Sequence, residues 1–339
     1  MMRRILGAAL ASLLLYGVAF GLVLDRPLSL GFLRQQIEAK LARGAALPSP
    51  KLVILAGSNA PYSHRCETME PILEMPCVNA GVAVGIGLDY LFARWRPLLH
   101  EGDIVYLPME QEQYVRPQAA TALGPDAGIM LRHDRATLFR LPMARWLAAL
   151  FSTDLRGAVM SLIETGLAVR GFDDPRAATT GRTNAQGDHV GHTEALARAS
   201  RPVLAAARPT HVGAAAIEQG DGTALIAGFI VWARAQGIHV VGGLPTGFAD
   251  MPLPAATVEA IRAVYLRSGA AFLELPNQSR YPRAAFFDTP EHLNEPAQIA
   301  HSRLVATALL RGEVEGHWDR DAAPTRGGPD QWVQFSGRP

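Results

Sequence analysis

The chain has 339 residues and a formal net charge of +1, and 49% of its residues are hydrophobic. This length provides one large domain or two small ones, with room for a sizeable core. The sequence has no concentrated basic surface of the kind that binds nucleic acid, so nucleic acid is not predicted as a partner.

An uncharged, mostly apolar run from Ile5 to Leu24 follows Arg3 and Arg4. At roughly 1.5 Å per residue, such a run is long enough to cross the hydrocarbon core of a bilayer. Because basic residues favour the cytoplasmic side, residues 1–4 are predicted to be cytoplasmic and residues 5–24 to be a transmembrane signal-anchor of a bacterial inner membrane. The remainder is then periplasmic. A cleaved signal peptide is the alternative, because Ala19-Phe20-Gly21 has small residues at a cleavage-like spacing.

Residues 25–50 form a predicted juxtamembrane linker with a short amphipathic helix, and the folded domain is predicted at 51–312. Within that domain, helical patterns alternate with apolar strand patterns at 52–56, 77–79, 103–108, 238–244 and 271–275. Alternation of this kind predicts an α/β fold, a three-layer sandwich in which helices cover both faces of a parallel sheet.

Residues 110–219 interrupt this alternation. Helical patterns at 137–151 and 155–169, followed by a polar, Gly-rich stretch at 171–192, predict a helical insertion with a mobile loop. Residues 313–339 are rich in charge, Gly and Pro and are predicted to be a disordered tail.

Ser58 follows the first predicted strand, and Asp288 and His292 precede the last predicted helix. Open α/β sheets place their sites at the carboxyl ends of the strands, where Ser58 is expected. Attack by a serine needs a base to take its proton and an acid to orient that base, and His292 and Asp288 are of these types. Taken singly, Ser58 is also compatible with an ordinary turn, and Asp288 and His292 with a helix cap and a surface histidine.

Gly81 follows the second predicted strand in Asn79-Ala-Gly81, and Glu110 and Gln111 follow the third. A glycine at such a position lets backbone amides approach a developing negative charge, although a tight turn is an equally simple interpretation.

The order of these blocks resembles that of the SGNH, or GDSL, hydrolase superfamily, over residues 51–110 and 220–312. Ala56-Gly57-Ser58 matches its first block with Gly57 in place of the aspartate, and Asn79-Ala-Gly81 matches its second. The resemblance implies a flavodoxin-like SGNH fold, Ser58 as nucleophile, His292 as base oriented by Asp288, and an oxyanion hole made by the amides of Ser58 and Gly81.

Two features differ from the family pattern. The family's asparagine after the third strand is absent, and Glu110 or Gln111 lies near its place, where neutral Glu110 or Gln111 could donate a hydrogen bond. The Asp288-x-x-x-His292-Leu-Asn ending is one residue longer than the common spacing. It is similar to the branch near teichoic-acid D-alanylation and exopolysaccharide acetylation proteins, which are also membrane-tethered. Asn59 completes the set of expected pocket residues.

The expected function is therefore that of a serine-dependent O-acyl (acetyl) esterase or acyltransferase acting on an envelope or secreted exopolysaccharide. No cofactor is predicted. The expected substrate is a polysaccharide or acylated carbohydrate, and a membrane acyltransferase or a polysaccharide synthase is the expected partner. A catalytically weak accessory protein of a polysaccharide synthesis or secretion complex is the alternative, because the oxyanion-hole asparagine is missing.

Cys66 and Cys77 are the two cysteines. In an oxidising compartment they are a candidate disulfide, and two buried thiols are the alternative. Asp188, His189 and His192 are of metal-ligating types, but no metal site is predicted because they lie in a Gly-rich stretch without helical support.

Overall fold

The computed structural model describes residues 1–22, 28–152 and 181–317, together with Val159, Ile163, Gly166 and Arg170. The strands are β1 (Leu52–Ile54), β2 (Cys77–Asn79), β3 (Ile104–Leu107), β4 (Arg182–Thr183), β5 (His189–Val190), β6 (His239–Gly243), β7 (Gly247–Phe248), β8 (Ala271–Leu273), β9 (Arg280–Tyr281) and β10 (Glu315–Gly316).

The helices begin with α1 (Met2–Leu22) and α2 (Leu28–Ala46), which precede the sheet. Those of the first half of the domain are α3 (Asn59–Ser63), α4 (Cys66–Leu73), α5 (Leu88–Trp95), α6 (Gln111–Val115), α7 (Gln118–Ala122), α8 (Pro125–His133), α9 (Arg135–Leu138) and α10 (Met143–Ala149). Those of the second half are α11 (Glu194–Ala197), α12 (Arg201–Ala206), α13 (Ala214–Gln219), α14 (Asp221–Ala235), α15 (Ala255–Arg267) and α16 (Glu295–Arg311).

Six strands form the central sheet in the order β10-β8-β6-β3-β1-β2, and β10 is the one antiparallel member. The residues of β1 are fully buried, as expected for a strand covered on both faces. The five parallel strands follow the order 2-1-3-4-5 of a doubly wound sheet. The prediction of an α/β fold with a parallel sheet is therefore confirmed.

The helices that connect the strands form two groups. Helix α16 packs on α4 and α3, whereas α14 packs on α5 and α15. Right-handed crossovers place these groups on opposite faces of the sheet, so that helices cover it on both sides. The carboxyl ends of β1, β2 and β3 consequently meet at one edge, and Ser58, Gly81 and Glu110 follow these three strands.

Helix α1 is long and apolar enough to cross a membrane, with a mean hydropathy of 1.4 over Met2–Ala19 and none of that segment buried. A signal sequence can pass the same test. Helix α2 packs on the domain through buried Ile37 and Leu41. The folded domain therefore includes α2, and the predicted boundary at residue 51 lies too late.

Several details of the predicted insertion and tail differ from the structure. The helix predicted at 137–151 is divided into α9 and α10, because Pro142, which lacks an amide hydrogen, begins a new helix. Val159, Ile163 and Gly166 are helical, and the rest of 155–169 lies outside the described residues, as do 171–180. Residues 181–192 contain the β4–β5 hairpin rather than a mobile loop. Glu315 and Gly316 pair with β8, so the predicted tail starts too early, and 318–339 lie outside the described residues.

A buried ion pair lies at the amino-terminal side of the sheet. Lys51 Nζ and Asp103 Oδ2 are 2.7 Å apart, and both side chains are fully buried. Asp103 also accepts hydrogen bonds from the amides of Lys51 and His100, at 3.0 and 2.9 Å. Asp103 thus joins the chain before β1 to the chain before β3.

We expect Asp103→Ala to lower the free energy of unfolding by about 3–5 kcal/mol, because it leaves the buried Lys51 without its carboxylate partner and two amides without their acceptor. Urea denaturation followed by circular dichroism measures this loss. Glu218→Ala, which removes an exposed ion pair with Arg267, is the control and should change stability by less than about 1 kcal/mol. Equal effects of the two substitutions would contradict this account of the buried pair.

Candidate active site

Ser58 lies immediately before α3, in the turn that follows β1. The turn is held by Gln113 Oε1, which accepts hydrogen bonds from the amides of Gly57 and Glu110 at 3.0 and 3.1 Å. A Cβ atom at Gly57 would overlap the Glu110 carboxylate and lie 3.1 Å from the Val84 Cα. Glycine at this position therefore lets the carboxyl group of Glu110 pack directly against the nucleophile turn.

The structure brings Ser58, His292 and Asp288 together. His292 Nε2 lies 2.9 Å from Ser58 Oγ, and His292 Nδ1 lies 2.7 Å from Asp288 Oδ1. Only 8% of His292 is exposed. A hydroxyl hydrogen-bonded to an imidazole that a carboxylate orients is the arrangement that activates a serine for attack on a carbonyl carbon.

The loop that carries His292 is fixed by hydrogen bonds to its backbone. The carbonyl of Glu291 accepts from Ser63 Oγ at 2.9 Å and from Thr246 Oγ1 at 2.7 Å. Asn294 then caps α16, because its side chain accepts a hydrogen bond from the Ala297 amide at 3.2 Å. These contacts preorganise the imidazole, since its backbone cannot shift without losing them.

Tyr62 is a site residue to which the sequence assigned no role. Its ring stacks on His292 with centroids 4.0 Å apart and an interplanar angle of 6°, and on His189 at 4.1 Å. Tyr62 lies four residues after Ser58, so one helical turn places both on the same side of α3. This four-residue spacing is the feature of the sequence that could have indicated Tyr62. Its stacking partners, His292 and His189, come from distant segments of the chain. Burial and the charge of Asp288 raise the pKa of the Tyr62 hydroxyl, so the ring is neutral.

Gly81 approaches the same turn from the end of β2. A side chain there would meet Ala60 and lie 2.7 Å from the Gly57 carbonyl, so only glycine fits. Lys40 Nζ donates hydrogen bonds to the carbonyls of Gly81 and Gly187. Within the part of the chain that the structure describes, the amides of Ser58 and Gly81 donate no hydrogen bond. Ser58 lines the cleft, whereas Gly81 is buried beside the turn.

The three expected pocket residues have different environments. Glu110 and Gln111 line the cleft that contains Ser58 and His292. Gln111 also accepts a hydrogen bond from the Val212 amide at 2.9 Å. Asn59 is instead fully buried and donates to the Pro108 carbonyl at 2.7 Å, so the expectation that it lines the pocket is wrong. Its amide side chain supports the turn because its position, one residue into α3, points it toward the sheet.

Two carboxyl groups beside Ser58 and His292 are shifted in opposite directions. Burial raises the pKa of Glu110 to about 7, although the Asn59 amide, which donates to Glu110 Oε1 at 3.1 Å, and the nearby His292 oppose the shift. Burial also raises the pKa of Asp288, but its hydrogen bond to His292 and the charge of that ring outweigh burial, and the net pKa is below the ordinary value. Asp288 is therefore ionised at neutral pH, whereas Glu110 is divided between its two forms.

The cleft has a volume of about 520 Å³. Polar and charged side chains form much of its wall, among them Glu110, Gln111, Glu112, His211, Thr246, Arg280 and Glu291. Apolar side chains, among them Val84, Phe248 and Met251, form the rest of the wall, so the cleft offers both hydrogen-bonding groups and apolar surface.

His189 and His192 lie against the ring of Tyr62, and Asp188 lies at the start of α4. The Asp188 carboxylate caps α4 by accepting from the amides of Cys66 at 2.8 Å and Glu67 at 3.2 Å. Among the described residues, no group of three or more His, Cys, Asp or Glu side chains is arranged to hold a metal ion. A disulfide bond joins Cys66, at the start of α4, to Cys77, at the start of β2.

Comparisons with family models, with curated proteins and with solved structures give no match for this chain.

We expect Gly57→Ala to destabilise the chain by about 1–3 kcal/mol, because the new methyl group overlaps the Glu110 carboxylate. In a Glu110→Ala background the same substitution should cost less, since the overlapping group is gone. A double-mutant cycle on the free energy of unfolding measures this coupling. Strictly additive effects would show that Glu110 is not what restricts residue 57.

Proposed function

We propose that the chain is a membrane-anchored serine esterase or acyltransferase of the SGNH type, acting on O-acyl esters of carbohydrate. The observation that carries this proposal is the pair of hydrogen bonds linking Ser58, His292 and Asp288. The 2-1-3-4-5 strand order, with Ser58 after the first strand and His292 before the last helix, supports the SGNH assignment.

In this proposal, Ser58 Oγ attacks the ester carbonyl carbon while its proton passes to His292 Nε2. Asp288 holds the imidazole and stabilises the imidazolium that forms. The alcohol leaves with that proton, and an acyl-serine remains. Attack by water then releases the acid and gives hydrolysis, whereas attack by a sugar hydroxyl gives transfer; in either case His292 removes the proton of the attacking group.

The negative charge on the carbonyl oxygen would be bound by the amides of Ser58 and Gly81. Glu110 lies where related hydrolases have an asparagine, and its neutral form can donate a third hydrogen bond. Its ionised form would repel the oxyanion. Binding of the oxyanion at this site therefore requires that Glu110 be protonated.

The hydroxyl and carboxylate groups of the cleft wall support a carbohydrate ester as substrate, with a small acyl group such as acetyl. The proposed location is the periplasmic face of a bacterial inner membrane, with α1 as the anchor. This location fits an envelope or secreted exopolysaccharide as substrate and a membrane acyltransferase or polysaccharide synthase as partner.

A serine-directed fluorophosphonate tests the proposal on the full chain in detergent. We expect the wild-type chain to be labelled and Ser58→Ala to be unlabelled, with hydrolysis of p-nitrophenyl acetate lower by at least about a thousandfold. Ser268→Ala, which changes the serine that follows α15, is the control and should label normally. Equal labelling of the wild type and Ser58→Ala would instead favour the non-catalytic accessory role. The Glu110 carboxyl group beside the proposed oxyanion position is a separate observation in favour of that role.

The pH profile tests the role of Glu110. Because its pKa is raised to about 7, the donating neutral form predominates below that pH and the repelling carboxylate above it. We expect kcat/KM to fall as pH rises through about 7, and Glu110→Gln, whose amide donates at every pH, to remove this fall. Glu218→Gln, a change in an exposed carboxyl group on α13 that does not line the cleft, should keep it. A fall that persists unchanged in Glu110→Gln would exclude Glu110 as its cause.

A further inference from the structure

Helix α10 has the reverse of the polarity expected for a helix in water. Met143, Leu147 and Leu150 follow one another at helical spacing along one side, and they are 61%, 44% and 42% exposed. Arg145 lies on the other side and is only 1% exposed. A surface helix of a water-soluble domain normally buries its apolar side and exposes its charges.

Arg145 is held inside by specific partners. Its Nε lies 2.9 Å from Asp89 Oδ2, and its guanidinium also binds Asp126 and the Thr121 carbonyl. This set of buried contacts fixes the rotation of α10. The apolar side is consequently exposed by the fold itself. Phe139 and Phe151 extend the same surface and are 66% and 70% exposed.

This surface lies beside α1. Tyr16 Oη donates a hydrogen bond of 2.8 Å to the Leu150 carbonyl. Tyr16 is six residues before Leu22, the end of α1, which corresponds to about 9 Å along the helix axis. If α1 spans a bilayer whose hydrocarbon core is about 30 Å thick, the end of α10 lies below the outer boundary of that core.

We propose that α10 and Phe151 enter the outer leaflet of the membrane that α1 spans, as a second lipid contact of the chain. This inference rests on the anchor role of α1 in the proposed function. Two features of the surface support a lipid occupant. Arg140 is exposed next to it, where a basic side chain can reach lipid headgroups. Trp146, which is partly buried on α10, is of a residue type that is enriched at membrane interfaces. Contact at two places prevents the domain from rotating freely about its anchor and holds the cleft in one orientation to the bilayer.

Spin-label accessibility on the full chain in nanodiscs of phosphatidylethanolamine and phosphatidylglycerol tests this contact. Nitroxides are attached at Leu147→Cys and, as a second position on the same surface, at Phe151→Cys. Leu304→Cys on α16 is the matched control, because Leu304 is 48% exposed, and Leu10→Cys reports on α1 itself. We expect oxygen collisions to exceed those with a water-soluble nickel chelate at positions 147, 151 and 10, and the reverse at 304.

Each other outcome overturns the inference in a distinct way. Nickel-accessible labels at 147 and 151, with a lipid-exposed label at 10, would show that α1 is anchored while α10 stays in water. Labels at 147 and 151 shielded from both reagents would show that protein covers the surface, either a partner or a second copy. A nickel-accessible label at 10 would remove the anchor, and with it the location given in the proposed function.

Discussion

The hydrogen bond between Ser58 Oγ and His292 Nε2 joins residues that are 234 positions apart in the chain. It can form only because the strand before Ser58 and the loop before α16 finish at the same edge of one parallel sheet. Parallel pairing of β1 with β2 and β3 fixes where Ser58, Gly81 and Glu110 emerge. Backbone contacts to the Glu291 carbonyl then bring the imidazole within reach. The proposed chemistry therefore depends first on sheet register and second on that loop.

Gly57 and Glu110 are best understood as one unit. The absence of a side chain at Gly57 gives the Glu110 carboxyl its place, and Glu110 in turn accepts a hydrogen bond from the Asn59 amide in the turn after Ser58. Gly57 and Glu110, both of which differ from the SGNH pattern that the sequence resembles, therefore lie in contact. Together they put a group with a pKa of about 7 beside Ser58. A carboxyl in such a place makes the electrostatics of the oxyanion position depend on pH.

Helix α2 also contacts the backbone near the site. Lys40 on α2 donates hydrogen bonds to the carbonyls of Gly81 and Gly187, and burial lowers its pKa to about 7 although Asp188 opposes the shift. Helix α2 thereby holds the carbonyl of Gly81, the residue whose amide is proposed to bind the oxyanion. Helix α10, whose charged residue is buried and whose apolar side is exposed, also lies beside α1. Under the anchor role proposed for α1, α10 lies on the side of the domain that faces the membrane.

The sequence by itself determined the features that local patterns encode. Apolar runs gave the five parallel strands and α1, and the residue types after β1 and before α16 pointed to Ser58, Asp288 and His292. Tertiary structure alone decided which distant groups meet: Tyr62 against His292, Asp188 at the start of α4, Asn59 turned into the sheet, and Arg145 buried while Leu147 is exposed. The physical reason is that periodicity reports which side of an element is apolar, whereas the partner of a polar group depends on packing between segments far apart in the chain. The local rule that apolar residues face inward and charged residues outward failed on α10, because Asp89 and Asp126, from other segments, pair with Arg145 inside the fold.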